Sequence, residues 1–297
     1  MKLGWVEDVL ASVSRTAPVL IAGPTASGKS ALAMALARRD RRMIVNADAL
    51  QVYARWRILT ARSTVHEEAE VAHRLYGHIG RDDVYSVGHW LREVAAVLAE
   101  AKPIVIVGGS GLNLSALTGG LVDIPATPPE VRAAADLRMK TAGIAALLAD
   151  LDAATAARID RANPARVQRA WEVIQATGRG LADWQDNTGP ALLPLAGADA
   201  LVLRPEVDWL NARIDGRFDA MIESGALAEV AAEMPFWDSQ HPSSSAIGAP
   251  ELISHLRGEM GLATAISAAK LASRQYAKRQ RTWLRNRMKA WREVLLP

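Results

Sequence analysis

Short, mainly apolar runs alternate with segments of helical spacing in the first part of the chain. Residues 18–22, 42–46 and 102–107 form such runs, and each leads into a loop that contains glycine or aspartate. Residues 30–39 and 87–100 have the composition and spacing of helices. Runs of this length are typical of buried parallel strands, and the alternation predicts a parallel sheet covered by helices on both faces. Ligands of such sheets bind at the carboxyl ends of the strands.

A second pattern begins at Thr127 and continues to about Gln185, where alanine-rich helical segments follow one another without strands. One helix is well marked, because Asn163 can cap it, Pro164 suits its first position and Gly178 can end it. Its buried stripe is predicted to consist of Val167, Ala170, Trp171 and Ile174. The polar residues off this stripe are predicted to be free to bind a ligand; they are Arg166, Gln168 and Arg169.

Strand character returns at residues 199–203, and a helix with an apolar face follows from Asp208. That face consists of Leu210, Ile214, Phe218 and Met221. A last long helix is predicted from about Thr264 to Arg292. The pattern therefore predicts an α/β core made of residues 1–122 and 198–297, with an all-helical domain inserted at residues 123–197.

Composition excludes several classes of site. The 297 residues are 50% hydrophobic and 23% charged, as in an ordinary globular protein. The chain has no cysteine, which excludes disulfides, thiolate zinc sites and cysteine nucleophiles. Glu7 and Asp8 interrupt the apolar stretch that a secretory signal needs, and no run is long enough to cross a bilayer, so a cytoplasmic protein without membrane association is expected.

Residues 23–30 match the P-loop pattern G-x-x-x-x-G-K-[ST], with a predicted strand before them and a helix after them. They are Gly23, Pro24, Thr25, Ala26, Ser27, Gly28, Lys29 and Ser30. Successive backbone N–H groups of such a loop bind phosphate oxygens, and the helix N-terminus adds positive potential. Lys29 supplies a full charge, and Ser30 is the expected ligand of a magnesium ion. The other interpretation, a chance glycine turn, does not explain both flanking elements.

A P-loop predicts a bound diphosphate or nucleotide but no particular reaction. A motor or switch NTPase usually has an acidic residue at the end of a nearby apolar strand. Here the run at 102–107 leads into Gly108, Gly109 and Ser110 instead. This argues against an ATP-driven machine, although Asp48 at the end of the second strand could partly substitute for the acidic residue. Kinases and transferases remain.

Asp48 follows the second predicted strand and would face the same edge of the sheet as the P-loop. A carboxylate there could accept a proton from a nucleophile, although a turn or capping aspartate is an equal alternative from position alone. Arg213 and Arg217 share a helix face, and guanidinium groups suit a leaving diphosphate. From spacing alone, two solvated surface arginines remain the simpler interpretation.

The last predicted helix carries a basic run without an acidic residue. Its cations are Lys270, Arg274, Lys278, Arg279, Arg281, Arg285, Arg287 and Lys289. Such a helix face predicts contact with nucleic-acid phosphates, which local clustering must supply because the net charge of the chain is only +3. Tyr276 and Trp283 within the run could stack on bases, but core positions are the favoured interpretation.

Taken together, these segments resemble the tRNA dimethylallyltransferase family. The carriers, in order, are GPTASGKS (23–30), NADALQVY (46–53), VGGSGLNLSAL (107–117), PPEVR (128–132), NPARVQRAWEV (163–173), RIDGRF (213–218) and RQYAKRQRTWLRN (274–286). They span nearly the whole chain. Six residues depart from the usual pattern: Ala49-Leu50 replaces serine and arginine, Ser110 replaces threonine, Asn113 replaces tyrosine, and Ala249-Pro250 replaces an aromatic and basic pair.

The resemblance implies a P-loop kinase-like core, dimethylallyl diphosphate as donor, magnesium as cofactor, and a flipped-out adenine of the tRNA anticodon stem-loop as acceptor. It implies that Asp48 accepts the proton of the adenine amine, while Ser110, Arg217 and Arg213 help to hold the diphosphate. The implied tRNA contacts are Asp48, Ala49, Leu50, Gln51, Ser110, Arg132, Ala165, Arg166, Val167, Gln168, Arg169, Ile247, Gly248, Arg274, Lys278, Arg279, Gln280 and Arg281. A monomer is expected.

Three competing functions stay open at this point. The same transfer to a free adenine nucleotide would need neither the helical insert nor the basic last helix. A small-molecule kinase is disfavoured for the same reason. A P-loop RNA-binding protein without transfer activity would not need Asp48.

Overall fold

In the computed structural model, which describes residues 4–297, the chain forms six strands and thirteen α-helices. The strands are β1 (Val19–Ala22), β2 (Met43–Asn46), β3 (His73–Arg74), β4 (Ile104–Gly108), β5 (Asp199–Arg204) and β6 (Arg292–Leu295). The helices are α1 (Gly4–Ser12), α2 (Lys29–Asp40), α3 (Val65–Glu70), α4 (Val87–Ala99), α5 (Gly111–Gly119), α6 (Pro129–Ala149), α7 (Ala153–Arg158), α8 (Pro164–Thr177), α9 (Leu181–Asp186), α10 (Val207–Glu223), α11 (Ala226–Glu233), α12 (Ala249–Leu256) and α13 (Leu262–Arg287). Within the described residues, no helix is both long enough and apolar enough to span a membrane.

The chain divides into two compact units, residues 1–118 with 192–297 and residues 119–191. The first unit contains one six-stranded sheet of order β3-β2-β4-β1-β5-β6, and every neighbouring pair is parallel. The strands β1, β2 and β4 are fully buried, as the apolar runs predict. One apolar cluster packs α1 and α2 against the sheet. A separate apolar cluster packs α4, α5 and the end of α13 against the sheet. The predicted parallel sheet with helices on both faces is confirmed.

The end of the chain differs from the prediction. The last helix begins at Leu262 and ends at Arg287, so the predicted end at Arg292 is wrong. Arg292–Leu295 instead forms β6, which pairs with β5 at the edge of the sheet. Met288 and Trp291 lie in the turn between α13 and β6, and their burial anchors this turn in the core. The two-residue strand β3 was not predicted from the sequence either, because two residues carry no periodicity.

The second unit consists of residues 119–191, all of which the structure describes. It contains α6 to α9 and no strand. The predicted caps of α8 are present: Asn163 accepts a hydrogen bond from the N–H of Arg166, and Gly178 ends the helix with φ 69°. Val167 and Trp171 of α8 pack with Ala135 and Leu147 of α6, which makes the core of this unit. The Trp171 Nε1–H also donates to Asp150, at 2.8 Å.

Because all strands of the first unit are parallel, the loops that follow them meet at one edge of the sheet. The P-loop follows β1, Asp48 lies two residues after β2, and Gly109-Ser110 follows β4. The next-neighbour order β2-β4-β1 therefore places these three loops side by side.

Candidate active site

The P-loop connects β1 to α2 and has the backbone that its glycines require. Gly28 has φ 92°, a left-handed conformation that disfavours a side chain, and α2 begins at the next residue. An added Cβ at Gly23 would lie 2.7 Å from the hydroxyl oxygen of Ser27. That hydroxyl is buried and has no hydrogen-bond partner in the described residues. The loop is thus closely packed on itself, with the exposed Ser30 at its rim in the first turn of α2.

Lys29 lies within this loop, where its Nζ donates to the carbonyl of Pro24 at 3.3 Å. Burial lowers the pKa of Lys29 to about 8, an effect that the carboxylate of Asp48 opposes and the guanidinium of Arg217 reinforces. Burial of an ammonium group beside a guanidinium is unfavourable unless an anion joins them. The arrangement therefore favours binding of a negatively charged ligand at the loop.

Two arginines of α10 bind the P-loop directly. The Nε–H of Arg213 donates to the carbonyl of Ala26 at 2.9 Å, and Arg217 donates to the hydroxyl of Thr25. Burial lowers the pKa of Arg217 to about 10, and Asp48 partly offsets this. Both side chains thus reach the predicted diphosphate cradle. Arg217 is shielded from solvent, whereas Arg213 stays exposed while it contacts the loop.

Asp48 is held in place by the residues around it. Its N–H donates to the side chain of Asn46 at 2.8 Å, and its Oδ1 accepts from the N–H of Leu50 at 3.0 Å. The other carboxylate oxygen faces Gly109, 3.5 Å from the position of an added Cβ. Asp48 is therefore a turn aspartate through one oxygen, while its charge acts on Lys29 and Arg217. The interpretation of Asp48 as a turn aspartate is therefore compatible with its interpretation as a proton acceptor.

Ser110 links the loop after β4 to the loop after β2, because its Oγ accepts from the N–H of Ala49 at 2.9 Å. Leu50, the next residue but one after Asp48, lines a pocket beside the carboxylate. Asn113, in α5, is buried. The hydroxyl that the loop needs for this contact is thus supplied by serine at position 110.

A pocket of about 580 Å³, counted out to its mouth, opens beside Asp48 and Thr25. Both apolar and polar residues line it. The apolar lining consists of Leu50, Leu59, Ile214, Phe218, Met221, Ala246 and Ile247, and the polar lining of Thr25, Asp48, Thr60, Arg217, Ser273 and Tyr276. A ligand with an anionic end and a small apolar group matches this mixed lining.

Comparison with known proteins decides which family has this arrangement. Residues 51–287 match the family model described as IPP transferase. A tRNA dimethylallyltransferase of Cereibacter sphaeroides is 66% identical over 280 residues, which cover 94% of this chain and 96% of the relative. The chain belongs to the IPP transferase family.

Solved structures agree with the fold. The tRNA isopentenylpyrophosphate transferase of Bacillus halodurans has a TM-score of 0.64 at 31% identity and covers 94% of this chain and 90% of its own. A eukaryotic dimethylallyltransferase acting on tRNA has a TM-score of 0.76 at 25% identity and covers 90% of this chain and 70% of its own. The predicted fold class, a P-loop kinase-like sheet with an inserted helical domain, is confirmed for this IPP transferase.

The basic helix α13 is less uniform than its sequence indicates. Lys270 pairs with Asp219 at 2.6 Å and Arg274 with Asp215 at 2.6 Å, so α10 neutralises the first part of the run. Lys278 and Arg279 are exposed, and Arg281 is half-buried. Gln280 is buried and bonds to protein backbone on both sides. The basic run therefore does not form one continuous free face, and its contact with nucleic acid stays a prediction.

The two aromatic residues of α13 have different places. Trp283 packs against the apolar cluster of the sheet, and an added Cβ at Gly111 would collide with its ring. Tyr276 lines the pocket beside Asp48. Burial and the charge of Asp48 raise the pKa of the Tyr276 hydroxyl, which keeps it neutral.

Tyr76 is a site residue that sequence reasoning missed. It follows β3 at the same edge of the sheet, and it lines a second cavity together with Ser30 and Gln51. Burial, then the charge of Asp48, raises the pKa of its hydroxyl. Recognition of β3 would have placed it, but a strand of two residues has no pattern to recognise.

In the helical unit, the residues expected to be free are partly tied to their neighbours. Gln168 donates to Asp136 at 2.6 Å, and Arg169 donates to Thr127, so the expectation that both side chains are free is wrong. Ala165 and Arg166 are exposed at the start of α8, whereas Val167 is fully buried. Arg132 is exposed, although its guanidinium lies 3.4 Å from Glu172.

Ile247 and Gly248 precede α12 in the first unit. Ile247 lines the pocket, and Gly248 is buried with φ 96°. An added Cβ at Gly248 would lie 2.8 Å from the ring of Phe218 and 3.0 Å from Leu59. Gln51 donates to the carbonyls of Thr60 and Ala61, at 2.9 and 3.1 Å. These contacts fix the wall of the pocket.

Proposed function

We propose that this chain transfers a dimethylallyl group from dimethylallyl diphosphate to the exocyclic N6 amine of the adenine 3′-adjacent to the anticodon in tRNA. One observation carries the proposal. The carboxylate of Asp48, the P-loop and the guanidinium of Arg217 meet at one edge of the sheet, beside a pocket that apolar and polar residues line together. Binding of a diphosphate alone needs no such carboxylate, and a proton transfer does.

The donor binds with its diphosphate on the P-loop. The backbone N–H groups of residues 26–30, the ammonium of Lys29 and the guanidinium of Arg217 face its negative charge. Arg213 holds the loop from α10 through the carbonyl of Ala26. The five-carbon group lies against Phe218 and Met221, two of the apolar residues that line the pocket. Ser110 and Asp48 then face the carbon that reacts.

In the transfer step, N6 of the adenine attacks C1 of the allylic group. The N6–C1 bond forms, the C1–O bond to the diphosphate breaks, and the diphosphate leaves with the bonding electrons. Asp48 accepts the proton that N6 loses. Lys29 and Arg217 stabilise the negative charge that develops on the leaving diphosphate, the same electrostatic role that such groups have in phosphoryl transfer.

Magnesium fits this loop. Ser30 is exposed in the first turn of α2, where its hydroxyl can serve as a ligand. The described residues contain no cluster of three or more His, Asp or Glu side chains for a metal, which is compatible with an ion that takes most of its ligands from substrate phosphates and water. When bound, magnesium would neutralise diphosphate charge.

The acceptor adenine must leave the base stack, because a stacked base cannot bring its amine into an enclosed pocket. A flexible anticodon loop makes this easier than a duplex does. For the RNA itself we propose contacts at Ala49, Leu50 and Ser110, at the exposed cations Lys278 and Arg279 of α13, and at Arg132 and Arg166 of residues 123–197. Residues 1–122 and 198–297 then carry the chemistry. Since tRNA is the substrate, we place the protein in the cytoplasm, as a monomer.

One assay tests the substrate assignment. Radiolabelled dimethylallyl diphosphate is incubated separately with unmodified tRNA and with AMP. We expect label on tRNA only. Label on AMP but not on tRNA would instead identify an adenylate isopentenyltransferase, and no label on either would favour an RNA-binding protein without transfer activity. A tRNA with guanine at the modified position is the matched control and should stay unlabelled.

A further inference from the structure

Gln280 lies in the middle of the basic helix but does not share its surface. Its residue exposure is 6%, whereas its neighbours Lys278 and Arg279 are exposed. Its side chain points into the first unit, toward the loops that follow β1 and β4. A side chain in this place cannot reach RNA bound on the outer face of α13.

The amide of Gln280 makes two hydrogen bonds of opposite sense. Its Oε1 accepts from the N–H of Thr25 at 2.8 Å, and its Nε2 donates to the carbonyl of Gly109 at 3.0 Å. A primary amide offers an acceptor oxygen and a donor nitrogen side by side at its end. Glutamate could keep the first bond and would lose the second, methionine would make neither, and asparagine is one methylene shorter.

The two loops joined in this way carry different parts of the proposed site. Thr25 belongs to the P-loop, and its hydroxyl is bound by Arg217. Gly109 precedes Ser110, whose hydroxyl accepts from the N–H next to Asp48. The close approach of the amide also explains Gly109, because an added Cβ there would collide with Nε2 of Gln280.

We propose that Gln280 is a positioning residue that sets the spacing between the diphosphate loop and the loop of Ser110 and Asp48, and that it is not an RNA contact. The expected effect on kcat rests on the proposed function, whereas the effect on the spacing of the two loops does not. It also means that the N–H of Thr25 is bound by the protein, so the diphosphate is held by the later N–H groups of the loop. Displacement of reacting groups by about 1 Å is enough to reduce a rate by roughly a hundredfold.

The test compares Gln280→Met and Gln280→Glu with the parent and with Thr282→Ala, an exposed position on the same helix. Three quantities are measured below the melting temperature of every variant: kcat at saturating substrates, the Kd for tRNA, and the Kd for inorganic pyrophosphate. For Gln280→Met we expect kcat to fall by about 10- to 100-fold and pyrophosphate to bind more weakly, with an unchanged Kd for tRNA. Gln280→Glu keeps the bond to Thr25, so its kcat should lie between this variant and the parent, whereas its added negative charge also weakens pyrophosphate binding. Thr282→Ala should match the parent.

An unchanged kcat in Gln280→Met, or a Kd for tRNA that rises tenfold or more, would overturn the inference. If Gln280→Met does not fold, Gln280→Glu decides by the same criteria. If the parent itself transfers no label, the proposed function fails, and the pyrophosphate affinity of the uncharged variant Gln280→Met still decides the inference: weaker binding supports it, and equal binding overturns it.

Discussion

The guanidinium of Arg274 on α13 lies 2.6 and 2.7 Å from the two carboxylate oxygens of Asp215 on α10. Together with the pair between Lys270 and Asp219, it neutralises the first part of the basic helix and fixes α13 to α10. The helix that presents Lys278 and Arg279 to solvent is thereby held against the helix that places Arg213 and Arg217 on the P-loop. The charge left for RNA is concentrated in the second part of α13.

This division predicts different salt dependences for two lysines of the same helix. Lys278→Met should weaken tRNA binding and reduce the slope of log affinity against log salt by about 1, as expected for the loss of one phosphate contact. Lys270→Met should reduce the slope less, because Asp219 already compensates its charge. Filter binding at several salt concentrations measures both slopes, and equal slopes for the two variants would contradict the division.

The lowered pKa of Lys29 predicts proton uptake on donor binding. In the free protein this pKa is about 8, so at pH 9 most Lys29 side chains are neutral. A bound diphosphate favours the charged form and raises the pKa again. Titration calorimetry at pH 9 in two buffers of different ionisation enthalpy should therefore show proton uptake, and at pH 7 it should show almost none.

Lys29→Arg is the control for this measurement, since arginine stays charged across the range. It should show no uptake at pH 9. Equal uptake by the parent and this variant would assign the proton to another group.

Gly248 and Gly258 allow strain and collision to be separated. Both have a positive φ, 96° and 77°, but an added Cβ meets Phe218 and Leu59 at Gly248 and nothing within 4 Å at Gly258. Gly258→Ala should lower the free energy of unfolding by about 1 kcal/mol, from backbone strain alone. Gly248→Ala should lower it by a further 1–3 kcal/mol, roughly, because the core must shift. Denaturant titration measures both, and equal losses would show that the wall of the pocket adapts without cost.

Much of the site was predictable because its parts are local in sequence. The P-loop is a contiguous pattern, Asp48 follows a recognisable apolar run, and Asn163 and Gly178 mark a helix by their capping chemistry. What failed depends on pairing between distant segments. The ion pair of Arg274 with Asp215, the hydrogen bond of Gln168 to Asp136, and the burial of Gln280 join residues whose spacing in sequence is unrelated.

The edge strands escaped prediction for a related reason. His73–Arg74 is too short to show a period, and Arg292–Leu295 continues a helical charge pattern until its pairing with β5 determines its conformation. Pairing with a neighbouring strand, rather than local sequence, determines the conformation of both segments. The resemblance to a family gave candidate site residues but no information on which of their side chains are already bonded.

The account depends most on Asp48 as the group that accepts the proton of the adenine amine. Single-turnover transfer of label from dimethylallyl diphosphate to tRNA, with both bound at saturation, isolates the chemical step from binding. We expect Asp48→Ala to reduce this rate by at least about a hundredfold, the usual effect of a missing general base, and Asp8→Asn, an exposed carboxylate on α1, to leave it unchanged. A rate in Asp48→Ala equal to that of the parent would contradict the proposed mechanism.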